Sequence, residues 1–227
     1  AGIKAGARVD SDKYEKDDGR DFVRWKAAKP EEPAWEAGLP KGRPGWHIEC
    51  SAMAAELLAP LPIDIHGGGV DLIFPHHENE IAQAEGATGK PFVRFWVHGE
   101  FLNFDNEKMS KSLGNVFTVR DILDKGYRAS SLRYLLISVH YRKQLTFSWD
   151  ILAQAEAAVT RLADFLARVQ TIRGGPAHPQ VAERVQRARD EFRAHIANDL
   201  NVPGAQGVLF GASFTARDGA ARVAIAG

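Results

Sequence analysis

Cysteine occurs once in the 227 residues, at Cys50, and methionine only twice. A single cysteine excludes an internal disulfide and fits a reducing compartment, so the expected location is cytoplasmic. No apolar run approaches the ~20 residues of a membrane helix, and no basic leader precedes an apolar stretch. Neither a membrane partner nor a secretory signal is therefore expected. An excess of one charge sign is also missing. Twenty-nine basic and 29 acidic residues give a formal net charge of +0, which removes any general argument for a nucleic-acid-coating protein. Lysine disappears after Lys143, and every later basic residue is arginine, a bias we read as genome composition. Methionine is missing from position 1, where Ala1 stands, so the chain is expected to be processed or a piece of something longer.

The 44% hydrophobic content suffices for one or two domains with real cores. Within residues 1–45, "AGARVDSD" reads as a short strand and "RDFVRWKAAKP" as a half-buried strand ending at Pro30. The Pro- and Gly-rich stretch that follows reads as a loop. "HIECSAMAAELLA" (47–59) carries an apolar stripe at helical period and stops at Pro60. "PIDIH" (62–66) reads as a strand that "GGG" (67–69) breaks, and a helix is expected over 74–85. Strand, glycine turn and helix together follow the grammar of an α/β nucleotide-binding fold. "FVRFWVHGEFLNFD" (92–105) reads as one or two strands, and "NEKMSKSLGN" (106–115) as a polar loop. "TVRDILDKG" (118–126) has a Thr cap, an acid at its fourth position and a closing Gly. Helical patterns follow over 129–140, 149–173 and 180–198. The expectation is an α/β first part and an all-α remainder, with a boundary near 125–145. No structure is assigned to "GASFTARDGAARVAIAG" at the end.

Three patterns carry chemistry. In "FPHHENEIAQAE" (74–85), His76 and Glu80 stand at i, i+4 and so share one helix face. With the Cys50 thiolate they would offer N, O and S donors, a partial zinc set. His77 is the alternative ligand, but at about 100° round a helix from His76 it shares a metal with Glu80 less easily. A solvated helix face and a small buried cysteine are the bland alternatives. In "KMSKS" (108–112), Lys108 and Lys111 are long-reaching point charges suited to charge developing on a leaving pyrophosphate, although lysine-rich loops are common. In "HGGGVD", the glycines let backbone approach a ligand and the acid soon after can hold a ribose hydroxyl. A tight strand-to-helix turn is its alternative.

Taken together, "GRPGWHIECSAM", "DIHGGGVDLIFPHHENEIAQAE", "WVHGEFLNFDNEKMSKSLGN" and "VHYRKQLTFS" resemble the cysteinyl-tRNA synthetase family, collinearly from about Ala5 to about Phe210. "KMSKS" is common to class I aminoacyl-tRNA synthetases, whereas the "GWHIECSAM" and "FPHHENE" blocks point to the cysteine enzyme. The resemblance implies one active-site zinc held by two cysteines, a histidine and a glutamate, with Cys50, His76 and Glu80 at three of those positions. It implies ATP with Mg2+, cysteine and tRNA(Cys) as partners, and a monomer. Lys111 is implied at the ATP phosphates with Lys108 assisting, and Gly69 and Asp71 at the adenylate ribose. His98 and Gly99 fall at the adenine wall, and Trp46 and His66 in the cysteine pocket. For Trp46 the alternative is ordinary core packing.

The fold implied is α/β, the second half of a Rossmann-like class I catalytic domain followed by an all-α segment. In those terms residues 1–30 end the insertion region, and 31–125 form the catalytic half. Residues 126–147 are a stem-contact segment, and 148–227 begin the helical tRNA-binding domain. The "HIGH" element, the other zinc cysteine and most of the anticodon-binding region have no counterpart in this chain. It is therefore expected to be an incomplete portion, inactive alone and poorly soluble through uncovered strands. Two rival readings remain: the related cysteine ligase of mycothiol synthesis, and a truncated paralogue that binds or regulates without catalysis.

Overall fold

Proline and glycine punctuation cuts the start of the chain into short elements, and longer amphipathic periods take over after it. The computed structural model describes residues 21–104, 107–108, 117–171 and 179–215. The chain divides into two units, Ala1–His98 and Gly99–Gly227.

In the first unit, β1 (Trp25–Ala27) and β2 (Gly42–Pro44) pair antiparallel, with Lys26 opposite Arg43. The loop between them is tied by Trp25 Nε1 donating to the Pro40 carbonyl (2.9 Å) and by an Arg43–Glu32 ion pair (3.0 Å). Helix α1 (Trp46–Leu57) follows Gly45, whose extended backbone sets its start. Strand β3 runs over Ile63–Gly69 and is hydrogen-bonded to β4, Val93–Gly99. The Ile63 N–H donates to the Phe92 carbonyl at one end (2.9 Å), and Gly67 lies against the Val97 carbonyl toward the other. The two strands thus run parallel. That direction demands a crossover, which helix α2 (Glu78–Thr88) supplies before Gly89 ends it in the left-handed region at φ 66°. Ile63, Ala84 and Phe92 form the buried seam of this βαβ unit.

Two expectations change here. The glycines of "GGG" belong to β3 rather than breaking it, since extended backbone costs glycine only entropy. The regular helix starts at Glu78, not Phe74. A short 3-10 turn (Val70–Leu72) and a wide π turn (Ile73–His77) come first, with Phe74 in non-helical backbone at φ −137°, ψ 133°.

In the second unit, β5 (Leu102–Phe104) is the middle strand, antiparallel to β6 (Glu107–Lys108) and parallel to β7 (Leu145–Phe147). The expected loop over 106–115 therefore holds one short strand. Its other residues, and the expected strand at 5–12, lie outside the described residues. Helix α3 (Val119–Asp124) opens with a complete capping box. Asp121 N–H donates to Thr118 Oγ1, and Thr118 N–H donates to the Asp121 carboxylate. Gly126 follows at φ 89°. Helices α4 (Ala129–Leu136) and α5 (Trp149–Gln170) close on a core of Ile122, Leu135, Phe147, Leu152 and Ala155. Arg128 and buried Ser131 both bond Glu156 across that pair. Helix α6 (Pro179–Ala197) packs on α7 (Val202–Thr215), which extends structure into the tail left unassigned from the sequence. The α/β reading holds. Among the described residues no helix is long and apolar enough to cross a membrane.

Candidate functional site

Helix α1 and the wide turn leading into α2 bring Cys50, His76 and Glu80 together, with one ligand atom from each within 4.8 Å of the others. Glu80 sits at the centre and is fully buried. Its carboxylate oxygens lie 3.1 Å from His76 Nε2 and 3.2 Å from His66 Nε2. Neither histidine approach has hydrogen-bond geometry, so the buried oxygens have no nitrogen or hydroxyl donor among the described residues, and only the weakly donating Cys50 thiol faces them. A buried carboxylate in that state is costly and calls for a cation or a proton. Burial accordingly raises its pKa to about 7, an effect the facing Cys50 thiol partly offsets.

The surrounding groups are ready to donate lone pairs. Burial, and then His47 and His66, depress His76 to about 4 and keep its imidazole neutral at physiological pH. His77 is likewise depressed to about 4 by burial and by His66 and His98. The Cys50 thiol is raised by burial and by Glu80, the direction expected of a thiol with no cation to stabilise its anion. Sulfur, nitrogen and oxygen donors around one fully buried carboxylate suit a borderline-soft divalent ion.

The sequence placed His77 off this face, yet His66, His77 and Glu80 also fall within 4.8 Å of one another. The cause is the wide turn. Its i→i+5 bonding spreads successive side chains over a narrower arc than an α-helix, and both histidines point inward. Gly68 on β3 makes room: a Cβ there would stand 2.7 Å from His77 Cε1 and 3.0 Å from Leu72 Cδ1.

Trp46 is 58% exposed and stacks on His76 at 4.3 Å, so it is not a core residue. His98 Nε2 lies 2.7 Å from His77 Nδ1. Asp71 folds its carboxylate back over Gly69. Thus Trp46, His66, Gly69, Asp71 and His98 share the first unit with the ligand cluster, while Gly99 opens the second. Lys108 pairs with Asn103 through strand β6, and Lys111 lies outside the described residues.

Sequence reasoning passed over His47, whose Nδ1 lies 2.7 Å from His76 Nδ1. Its position three residues before Cys50 on α1 was the available signal. It also passed over Ser51, which donates to Gln83 Oε1 (2.7 Å) and ties α1 to α2.

Residues 2–157 match the family model of the "tRNA synthetases class I (C) catalytic domain". The cysteine--tRNA ligase of Solibacter usitatus is 51% identical over 211 residues, and that of Chlamydia trachomatis 47% over 213. Each alignment covers 92% of this chain but only 45% and 44% of the relative, so the chain spans under half the length of these relatives. Among solved structures, the LeuRS–tRNA–LeuAMS complex of Agrobacterium radiobacter K84 is similar with a TM-score of 0.56. Its sequence identity is 18%, over 70% of this chain and 23% of that one. The methionyl-tRNA synthetase of Mycobacterium tuberculosis bound by methionyl-adenylate gives 0.50 and 19%, over 69% and 34%. At such identities the likeness shows the fold alone.

Proposed function

The chain belongs to the class I (C) tRNA synthetase catalytic-domain family, and from that premise we propose that it is the part of a cysteine--tRNA ligase that selects and activates cysteine. The observation that carries this reading is the fully buried Glu80 carboxylate, with no nitrogen or hydroxyl donor among the described residues, facing Cys50 and His76. Cys50, His76 and Glu80 would hold zinc. The family's further cysteine ligand has no counterpart here, since Cys50 is the only cysteine. Bound there, zinc supplies a soft Lewis acid that favours a thiolate over the hydroxyl of serine, a pair that shape alone separates poorly.

The chain's own groups do the rest. Trp46 and His66 border the ligand cluster and would wall the cysteine side chain. Gly69 and Asp71 would take the adenylate ribose, and His98 and Gly99 the adenine side. Lys111, assisted by Lys108, would meet the ATP phosphates that Mg2+ also neutralises. The cysteine carboxylate attacks the α-phosphorus of ATP, forming cysteinyl-adenylate and releasing pyrophosphate. A terminal ribose hydroxyl of tRNA(Cys) then attacks the activated carbonyl and AMP leaves. Neither step needs a protein nucleophile, so positioning and charge stabilisation carry the rate. We assign residues 31–125 to the catalytic half, 126–147 to the stem-contact segment and 148–227 to the helical tRNA-binding part. The same reading makes the protein a cytoplasmic monomer.

The test is cysteine-dependent ATP–pyrophosphate exchange by the protein at its full natural length. Exchange with cysteine but not serine is expected, with zinc content and exchange both lost in Cys50→Ser. Exchange that survives both Cys50→Ser and zinc removal would overturn the metal assignment. Ligation of cysteine to an amino sugar instead of tRNA would favour the mycothiol-type ligase.

A further inference from the structure

In the second unit, residues 139–144 form a loop between α4 and β7 in which no residue is buried. Burial therefore does little to fix it. Its anchor is one carboxylate, Asp199, in the turn between α6 and α7. Tyr141 Oη donates to Asp199 Oδ1 (2.6 Å), and Arg142 donates from Nε to Oδ2 (2.6 Å) and from Nη2 to Oδ1 (3.2 Å). His140 Nε2 stands 3.8 Å from Oδ2, and the Arg142 guanidinium also lies over the Tyr141 ring at 5.0 Å.

The turn itself does not call for an aspartate. Asp199 stands two residues past the end of α6, where the last carbonyls carry partial negative charge and disfavour an anion. Asp199 and Leu200 both adopt left-handed backbone, at φ 52° and 53°, a region in which glycine closes a helix more readily. Leu200 is 49% exposed, so packing of its side chain does not offset that backbone. Backbone of this kind collects where a function needs it. The aspartate is accounted for by what it grips.

The gripped loop bears on the strand that follows Gly99. The Tyr141 carbonyl accepts from the Glu100 N–H (2.7 Å), and the Leu145 N–H donates to the Phe101 carbonyl (3.1 Å). Leu102, Asn103 and Phe104 then pair in register with Leu145, Thr146 and Phe147. The far end of this ladder is anchored in the core, where Phe147 stacks on Phe104 at 5.7 Å. The near end, at Glu100, is held by the Tyr141 carbonyl, and so through the clamp. Gly99 directly precedes it.

We propose that Asp199 is a positioning residue for nucleotide binding: its grip on Tyr141 and Arg142 places the Tyr141 carbonyl, which places Glu100 and with it the Gly99 backbone. The proposal rests on the reading of Gly99 at the adenine side and adds a distant residue that shapes that wall. Helix α6 and its turn thereby support ATP binding before any RNA is present.

The experiment is cysteine-dependent ATP–pyrophosphate exchange, which needs no RNA, by the protein at its full natural length. ATP and cysteine are each varied for the unaltered protein, Asp199→Gly, Asp199→Asn, Arg142→Ala and the double variant of Asp199→Gly with Arg142→Ala. Glycine accepts left-handed backbone, so Asp199→Gly removes the clamp and spares the turn. It should raise KM for ATP about tenfold, on the scale of a sub-ångström misplacement, and leave KM for cysteine unchanged. Asp199→Asn keeps an acceptor oxygen and should recover part of the loss. Arg142→Ala should raise KM for ATP in the same way, and in the double variant the second change should add little. A role in stability alone would lower the active fraction, hence kcat, and leave both KM values in place. That result overturns the proposal, and so does a KM for cysteine that rises in parallel. Should Asp199→Gly lose its fold, Arg142→Ala, on an exposed side chain, carries the same outcomes. Absence of exchange in the unaltered protein would instead overturn the functional reading beneath.

Discussion

His47 and His76 face one another through their Nδ1 atoms at 2.7 Å, and a hydrogen bond there requires one proton for two nitrogens. If His76 Nε2 ligates a metal, its Nδ1 must carry that proton and donate it to His47, which fixes tautomer and ring plane together. Removing the acceptor should therefore act on the metal from a distance. His47→Phe is expected to weaken zinc binding by about 10–100-fold, the usual cost of losing such an outer partner. His47→Gln, which keeps an acceptor, should recover most of it. Zinc competition with a chromophoric chelator measures both, and equal affinity in all three proteins would refute the role. At this scale the sequence was readable for His76 and Glu80, because i, i+4 spacing survives a distorted turn. His77 was not readable, because its position depends on a π turn that no local propensity announces, and His47 was missed although it stands three residues before Cys50 on α1.

The turn between α6 and α7 is an element whose stability has a pH sign. Arg142, Tyr141 and, more weakly, His140 hold the Asp199 carboxyl down to about 2. A carboxyl whose folded pKa lies below its unfolded value stabilises the fold above the unfolded value, near 3.8. It loses that contribution as pH falls toward the folded one. Acid titration should thus leave the α6–α7 turn intact to about pH 4 and loosen it between about 4 and 2. In Asp199→Asn the acid-sensitive step in this window should vanish. Helicity by circular dichroism against pH is the measurement, and identical curves would refute it. Elements with strong local signals were legible: the Thr118 cap, the amphipathic period of α5 and the Pro60 stop. Helix α7 was not, since "VPGAQGVLFGASFT" has no apolar stripe and holds its helix by packing on α6. The strand through three glycines was hidden for a similar reason, its pairing with β4 overriding propensity.

For the molecule as a whole, the first unit leaves much apolar surface in water. Ile65 on β3 is 67% exposed and Phe95 on β4 66% exposed. Met53, Leu57 and Leu58 of α1 and its end are exposed as well. Exposed apolar side chains in this number favour association. The chain expressed as residues 1–227 is expected to self-associate, and Ile65→Thr with Phe95→Thr to reduce that association without loss of helicity. Light scattering across a concentration series tests this. Scattering that is low in the unaltered chain, or unchanged in the double variant, would count against it. The α/β class and the family were legible from sequence because motif blocks span most of the chain. The extent of exposed apolar face was not, because alternation along "PIDIH" says which residues share a face and not whether anything covers it.

The contact of Gly68 with His77 has a consequence at the level of the gene. Every missense change that a single base can make in a glycine codon adds a Cβ, and here a Cβ would drive into a ring, 2.7 Å from Cε1. That ring bears on His98 behind it and shares the neighbourhood of Glu80. No one-step replacement at this codon is conservative, so inherited variation there should surface as loss of function and not as drift.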